Sequence, residues 1–302
     1  MSAIKDSILN VLHNNKNFDV ERFEKPQLVD WKNGNPVIYL PQYIGTKFET
    51  YTVNGSRLLS NGQTNTKTAK NGIQYLTAQH SIRPANFAGI GNVCPNASPG
   101  CLKSCLQSTG NANVFKMITA ARDAKTAAFY LTRDWYIENV ILNLVKWQKR
   151  AEKQNKRLAV RLNVLSDIPW EKLIKLETFS DTIFYDYTKN PRRAGLIAPN
   201  YWLTFSRSET NEKQAINVLK NGNNIAAVFH DTKYPAVGNR SKNMKLPKTF
   251  KGFKVIDGDI SDARFDDKRG KTRGIVVGLR LKAANWNNHN AAVNSGFSIP
   301  VK

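Results

Sequence analysis

The stretch 201-YWLTFSRSETNEKQAINVLKNGNNIAAVFH-230 reads as a βαβ unit. "YWLTFSRS" and "NIAAVFH" are short apolar runs of strand character, and "NEKQAINVLKNG" between them is helical and stops at a glycine. One helix between two such strands makes them parallel neighbours in a sheet. The same alternation continues on both sides. Upstream lie the strand-like runs "IQYLTA", "RLAVRLNVLSD" and "TIFYDYT", with "WEKLIKLETF" reading as a helix; downstream lie "GFKVIDGD" and "GIVVGLRLK". The succession predicts an α/β fold with mostly parallel strands, a complete or partial (β/α) barrel. No GxGxxG fingerprint follows any strand, so a doubly wound dinucleotide sheet fits less well.

Residues 114–154 are free of Gly and Pro and carry apolar residues at helical spacing. They predict two helices with a break near "LTRDW", where Thr132 or Asp134 would cap the second. Residues 1–52 read as an appended N-terminal segment. It holds an amphipathic helix, "DSILNVLHN", and a strand with edge prolines in "GNPVIYLPQYIG". Residues 53–302 form the barrel-like domain, in which 54–74 is a loop-forming tract of Asn, Gly, Thr and Lys.

Of 302 residues, 41% are hydrophobic and 10% aromatic, enough for a sizeable core. No run approaches the ~18 apolar residues of a membrane span, and the N-terminus lacks an apolar signal region, which together predict a cytoplasmic protein. Lys and Arg number 45 against 23 Asp and Glu, a formal charge of +22. Such an excess points to nucleic acid or another polyanion as partner, bound in a salt-dependent way.

All three cysteines fall in one loop, 92-NVCPNASPGCLKSC-105, with C-x6-C-x3-C spacing. In a reducing compartment, clustered thiols argue for metal or redox chemistry over disulfides. Cys94, Cys101 and Cys105 are one short of a closed tetrahedral site. His80 or His230 would complete a Cys3His zinc site; a [4Fe–4S] cluster on three cysteines would keep one iron open. The loop follows the first strand of the barrel, on the rim where such folds collect reactive groups. The other strand ends supply the remaining candidates. Asp257, Asp259, Glu209 and Asp186 are candidate catalytic residues, and Asn163, Asp167, Ser206 and Arg207 are candidates for binding a cofactor. No GxSxG, HExxH or P-loop pattern is present, which disfavours serine hydrolases and P-loop NTPases.

Several stretches together resemble the gene-product-88-like family of tailed phages and mobile elements. They are "NGSRLLSNGQTNTKTAKNG", "VCPNASPGCLKSCLQSTG", "AVRLNVLSDIPWE", "FYDYTK", "LTFSRSETN", "VIDGDISDAR" and the ending "GIVVGLRLK". The resemblance covers roughly residues 53–282 and implies a phage or mobile-element origin, with the host cytoplasm as the place of action. In architecture the cysteine triad after the first strand is also similar to the radical S-adenosylmethionine enzymes. That likeness implies a [4Fe–4S] cluster and S-adenosylmethionine. The sequence departs from their C-x3-C-x2-C spacing and has no glycine–glycine–acid stretch after the second strand.

Three expectations follow. The first is an iron–sulfur enzyme acting on nucleic acid or a nucleotide. The second is a nucleic-acid-binding protein with a structural zinc or cluster, its phosphate contacts made by the loop 56–72 and by Arg192, Arg193, Lys268, Arg269, Lys271 and Arg273. The third is a Mg²⁺-dependent nuclease built on "DGDISD".

Overall fold

The computed structural model describes residues 25–64, 74–108, 115–267 and 273–301. The expected helix "DSILNVLHN", residues 65–72 of the basic loop, and Lys268, Arg269 and Lys271 lie outside them.

Strands β1 (Gln27–Lys32), β2 (Asn35–Tyr39) and β3 (Thr50–Thr52) form a small antiparallel sheet. Asn33 and Gly34 both take positive φ (50° and 71°), the two-residue turn that suits the twist of a tight hairpin. Ile38 and Leu40 of this sheet are buried in the same hydrophobic cluster as the helices that follow, so the small sheet shares the core of the rest of the chain.

The large sheet has the order β11-β12-β13-β10-β9-β7-β6-β5-β4. Its parallel part comprises β5 (Tyr75–His80), β6 (Arg157–Arg161), β7 (Thr182–Thr188), β9 (Tyr201–Ser206), β10 (Ile225–His230), β13 (Val276–Arg280) and β12 (Phe253–Asp257). Antiparallel strands flank it: β4 (Leu59–Asn61) on β5 and β11 (Thr249–Phe250) on β12, while β8 (Gly195–Ala198) and β14 (Ile299–Pro300) pair with β9 and β10.

The sheet does not close into a complete barrel: among the described residues its end strands β4 and β11 are not paired with each other. The last two parallel strands enter in reversed order, β13 beside β10 and β12 outside it. The segment after β12 folds back over the inner face. Phe265 packs edge-on against Tyr75 and Tyr185 at 5.0 and 5.2 Å, and Asp262 meets Arg161 at 3.2 Å. The expected βαβ unit is present, with α4 (Glu212–Lys220) between β9 and β10.

The outer face of the sheet carries α2 (Lys116–Leu131) and α3 (Arg133–Glu152). The break falls at Thr132, as the sequence predicts, but its hydroxyl donates back to the Ala128 carbonyl at 2.8 Å and makes no cap. Helix α3 buries Tyr136, Val140, Asn143, Leu144, Trp147 and Ala151, one stripe at helical spacing. Asn143 ties that stripe to the chain before β4. It donates to the Gly55 carbonyl at 2.7 Å and accepts from the Leu59 amide at 3.3 Å. "WEKLIKLETF" is not a helix but two isolated 3-10 turns, Trp170–Lys172 and Leu176–Thr178. Asn200 explains the departure: its amide donates to the carbonyls of Leu176, Phe179 and Thr182, drawing the chain into turns. No described helix is long and apolar enough to cross a membrane.

Candidate functional site

The cysteine loop is held from behind before it reaches its cysteines. Val93 donates to the Ala85 carbonyl at 3.1 Å, and Asp167 donates its amide to the Val93 carbonyl at 2.8 Å. The Asn92 side chain accepts from the Cys94 amide at 2.8 Å. The short helix α1 (Pro99–Lys103) then carries Cys101. Ser98 starts it, accepting from the Cys101 amide at 3.2 Å. Glu209, at the tip of β9, accepts from Ser98 Oγ at 2.8 Å and from the Gly100 amide at 2.7 Å. A Cβ on Gly100 would collide with Glu209 and Ser295, so this close approach requires glycine. Helix α5 (Trp286–Asn294) braces the other end, where Asn288 donates to the Lys103 carbonyl at 3.0 Å.

Cys94, Cys101 and Cys105 all line one cavity of about 320 Å³ at the C-terminal ends of the parallel strands. Its walls come from the loop after β6 (Asn163–Asp167), the tip of β7 (Tyr187–Lys189), Ser206, β10, the β13 end, Asp259, Asp262 and Phe297. None of the cysteines is in a disulfide. Cys94 Sγ accepts from the Ala85 amide at 3.3 Å and lies 3.4 Å from the Leu165 carbonyl. Burial pushes the Cys94 thiol up to about 12, and the neighbouring Cys105 and Cys101 add to the rise. Burial also raises Cys101, against a lowering pull from the Lys189 ammonium, and it raises Cys105. A nucleophilic cysteine needs a depressed pKa, so these three are not built as free nucleophiles. They are soft donors lining one cavity, a donor type that suits zinc or iron. Among the described residues, these three included, no group of three His, Cys, Asp or Glu side chains is placed to hold a metal ion.

The other predicted residues divide by where they point. Asp167, Ser206, Asp259 and Asn163 line the cavity. Asp167 is fixed by Arg193 at 2.7 Å and by the Lys189 amide at 2.9 Å. Asn163 staples its own loop, accepting from Ser166 Oγ at 2.8 Å and the Ile168 amide at 2.9 Å. Glu209 positions the cysteine helix. Arg207 clamps the C-terminal segment through the carbonyls of Gly296 and Phe297 and pairs with Glu212 at 2.9 Å. Asp186 is wholly buried. It accepts from the amides of Leu162 and Asn163 and from the Tyr201 hydroxyl. Burial raises its carboxyl to about 7, with Arg161 and those hydrogen bonds pulling the other way.

Asp257 and Asp259 share the Arg280 guanidinium at 2.8 and 3.3 Å, so a cation already lies between the "DGD" carboxylates. Gly258 is required there by packing, since a Cβ would press into Val277 and Leu279 of β13. His80 cannot complete a zinc site: its Nδ1 is 3.0 Å from the Leu162 carbonyl and its Nε2 is 2.7 Å from the Tyr136 hydroxyl. His230 lies outside the cavity lining. Arg193 is buried in pairs with Asp167 and Glu171 rather than offered to phosphate. Arg161 and Tyr187 were not singled out from the sequence, though Arg161 stands alone as a charge inside the apolar run "LAVRLNV".

The fold and the site define a class: an open, mostly parallel α/β sheet with a three-thiol cavity at its strand tips. The chain belongs to the gene product 88 family, whose pattern it matches over residues 57–299. No curated protein and no solved structure matches it.

Proposed function

We propose that the protein is an iron–sulfur enzyme whose cluster is held by Cys94, Cys101 and Cys105 and faces the cavity at the strand tips. The observation that carries the reading is that all three cysteines line one cavity. The chemistry of the donor set supports it. The thiols are soft, buried and set against a backbone amide that donates to Cys94 Sγ, the kind of hydrogen bond that tunes metal-bound sulfur. A cluster on three cysteines supplies an iron with an exchangeable position for a ligand. The chain's own residues do the remaining work. Glu209 fixes the cysteine helix, Asp167 with Arg193 fixes the tip of β7, and Val164, Leu165, Val228 and Leu279 give the cavity an apolar lining.

Protein prepared without air should be brown, with about four irons and four sulfides per chain. Replacing any one of the three cysteines by alanine should bleach it. A colourless protein with one zinc would overturn the cluster.

The charge of +22 favours a second reading, in which the metal is structural and the protein holds nucleic acid on its basic surface. Binding of duplex DNA that weakens steeply with salt and survives Cys94→Ala would support that reading. Binding lost together with the iron would favour the enzyme.

A further inference from the structure

The cavity holds two polar groups that the cysteines do not account for. Tyr187 near the end of β7 and Lys189 just past it both line the cavity. The Tyr187 hydroxyl is buried and makes no hydrogen bond among the described residues. Lys189 Nζ donates to Ser206 Oγ at 2.9 Å and to the Ser206 carbonyl at 3.4 Å, and it sits 5.4 Å from the centre of the Phe297 ring. These partners are all neutral.

The other cations of the cavity wall are matched by carboxylates. Arg161 meets Asp262 at 3.2 Å, Arg280 meets Asp257 at 2.8 Å, and Lys282 meets Asp259 at 3.6 Å. Lys189 therefore brings a charge to the cavity that the described residues do not neutralise. An ammonium has three donors, and Ser206 takes two of them.

We propose that Lys189 seats the charged end of a small carboxylate ligand with an apolar body in the thiol-lined cavity, beside Cys101. The proposal deepens the functional reading above and rests on its placing the chemistry in this cavity. A carboxylate brings one charge, matching the one ammonium of the wall whose partners are all neutral. A phosphate dianion fits less well, because the other cations of the wall already have carboxylate partners and leave its second charge unmatched. Leu279, Val228 and Phe297 form the wall for the apolar body.

Hexanoate, hexan-1-ol and inorganic phosphate serve as probes of the full-length protein, read by calorimetry and saturation-transfer NMR, with iron measured on the same sample. Hexanoate should bind at least tenfold more tightly than hexan-1-ol, and phosphate should not displace it. Lys189→Ala should cut hexanoate affinity at least tenfold and leave hexan-1-ol affinity unchanged, which also shows that the variant is folded. Tyr187→Phe leaves the ammonium in place and should change hexanoate affinity less than twofold. Equal binding of the acid and the alcohol, displacement by phosphate, or full hexanoate affinity in Lys189→Ala would each overturn the proposal. Lys189-dependent hexanoate binding by a chain without iron would overturn the cluster alone. An iron-loaded chain indifferent to Lys189 would overturn the carboxylate site alone.

Discussion

The two faces of β7 carry the same kind of residues and do different work. On the outer face Asp186 is fully enclosed, and its carboxyl accepts from two backbone amides and a tyrosine hydroxyl. On the inner face Tyr187 and Lys189 line a cavity, one without a hydrogen bond among the described residues and the other with neutral partners only. In the sequence they sit together in "FYDYTK", where Asp186 is a strand-tip candidate and Tyr187 is not singled out. The separating quantity is hydrogen-bonding capacity left over after folding. A carboxyl held by two amides and a hydroxyl in the core belongs to the scaffold, whereas an ammonium at the cavity with neutral partners and a donor to spare belongs to its wall.

The sharpest way to break this comparison is to delete one group from each face. Asp186→Ala strands the amides of Leu162 and Asn163 and the Tyr201 hydroxyl in the core, and should cost at least ~3 kcal/mol of unfolding free energy in urea. Lys189→Ala should change stability by less than ~1 kcal/mol. Reversal of the two results would sink the distinction. The pH dependence should show the same asymmetry. Burial raises the folded Asp186 carboxyl to about 7, above its unfolded value near 3.8. The folded state then holds this proton more tightly, so stability from this group falls as pH rises between about 4 and 7. Asp186→Asn should remove that fall.

A second group on the enclosed side titrates the opposite way. His80 is buried between the Leu162 carbonyl and the Tyr136 hydroxyl, and burial, helped by the nearby Lys125 charge, lowers it to about 3. Its unfolded value is 6.5, so the unfolded chain takes up the proton first and stability falls as pH drops from about 6.5 toward 3. The loss reaches on the order of 4 kcal/mol at the acid end. Urea titrations of wild type and His80→Gln at pH 7 and pH 5 should show the variant losing less. An equal loss in both would place the acid sensitivity elsewhere.

Smaller effects are expected from residues that only support the cavity wall. Glu209→Gln keeps one acceptor where the cysteine helix uses two, for Ser98 Oγ and the Gly100 amide. If the loop holds the proposed cluster, iron content should fall by at least half while overall stability drops by only about 1 kcal/mol. Unchanged iron would show that the loop is held well enough by α5 and its own turns.

Much of this arrangement was legible in advance. "TIFYDYT" is β7 to the residue, the βαβ unit at Tyr201–His230 is present, and the cysteine loop sits at the strand tips. Short apolar runs separated by helices are a local signal, and local signals survive. What failed depended on partners far apart in sequence. "WEKLIKLETF" has helical spacing, yet Asn200 and the Arg193–Glu171 pair hold it in turns. Barrel closure turns on the order of β12 and β13, which no run of residues records. At the site, residue type revealed which polar groups stood at strand tips. It did not reveal which were already spent, because Asp186 and Arg207 find their partners through the sheet and the C-terminal segment.

The smallest expected effect tests whether the cavity wall carries strain that the enclosed face does not. Four non-glycine residues have positive φ: Asn33, Ala85, Asn155 and Lys251. Asn33 and Lys251 sit in two-residue hairpin turns and Asn155 at the end of a helix, where such angles are ordinary. Ala85, at φ 51°, is different: it lines the cavity, and its amide is the one that donates to Cys94 Sγ. An alanine in this region pays roughly 1 kcal/mol for the close approach of its Cβ. Glycine removes that strain but adds freedom to the unfolded chain, which returns about 0.4–1 kcal/mol. Ala85→Gly should therefore raise the unfolding free energy by no more than ~1 kcal/mol, with iron content unchanged. A clear loss of stability would mean that the methyl group packs against the wall more than it strains the backbone. A loss of iron at unchanged stability would mean that the stiffness of Ala85 is what aims its amide at the sulfur.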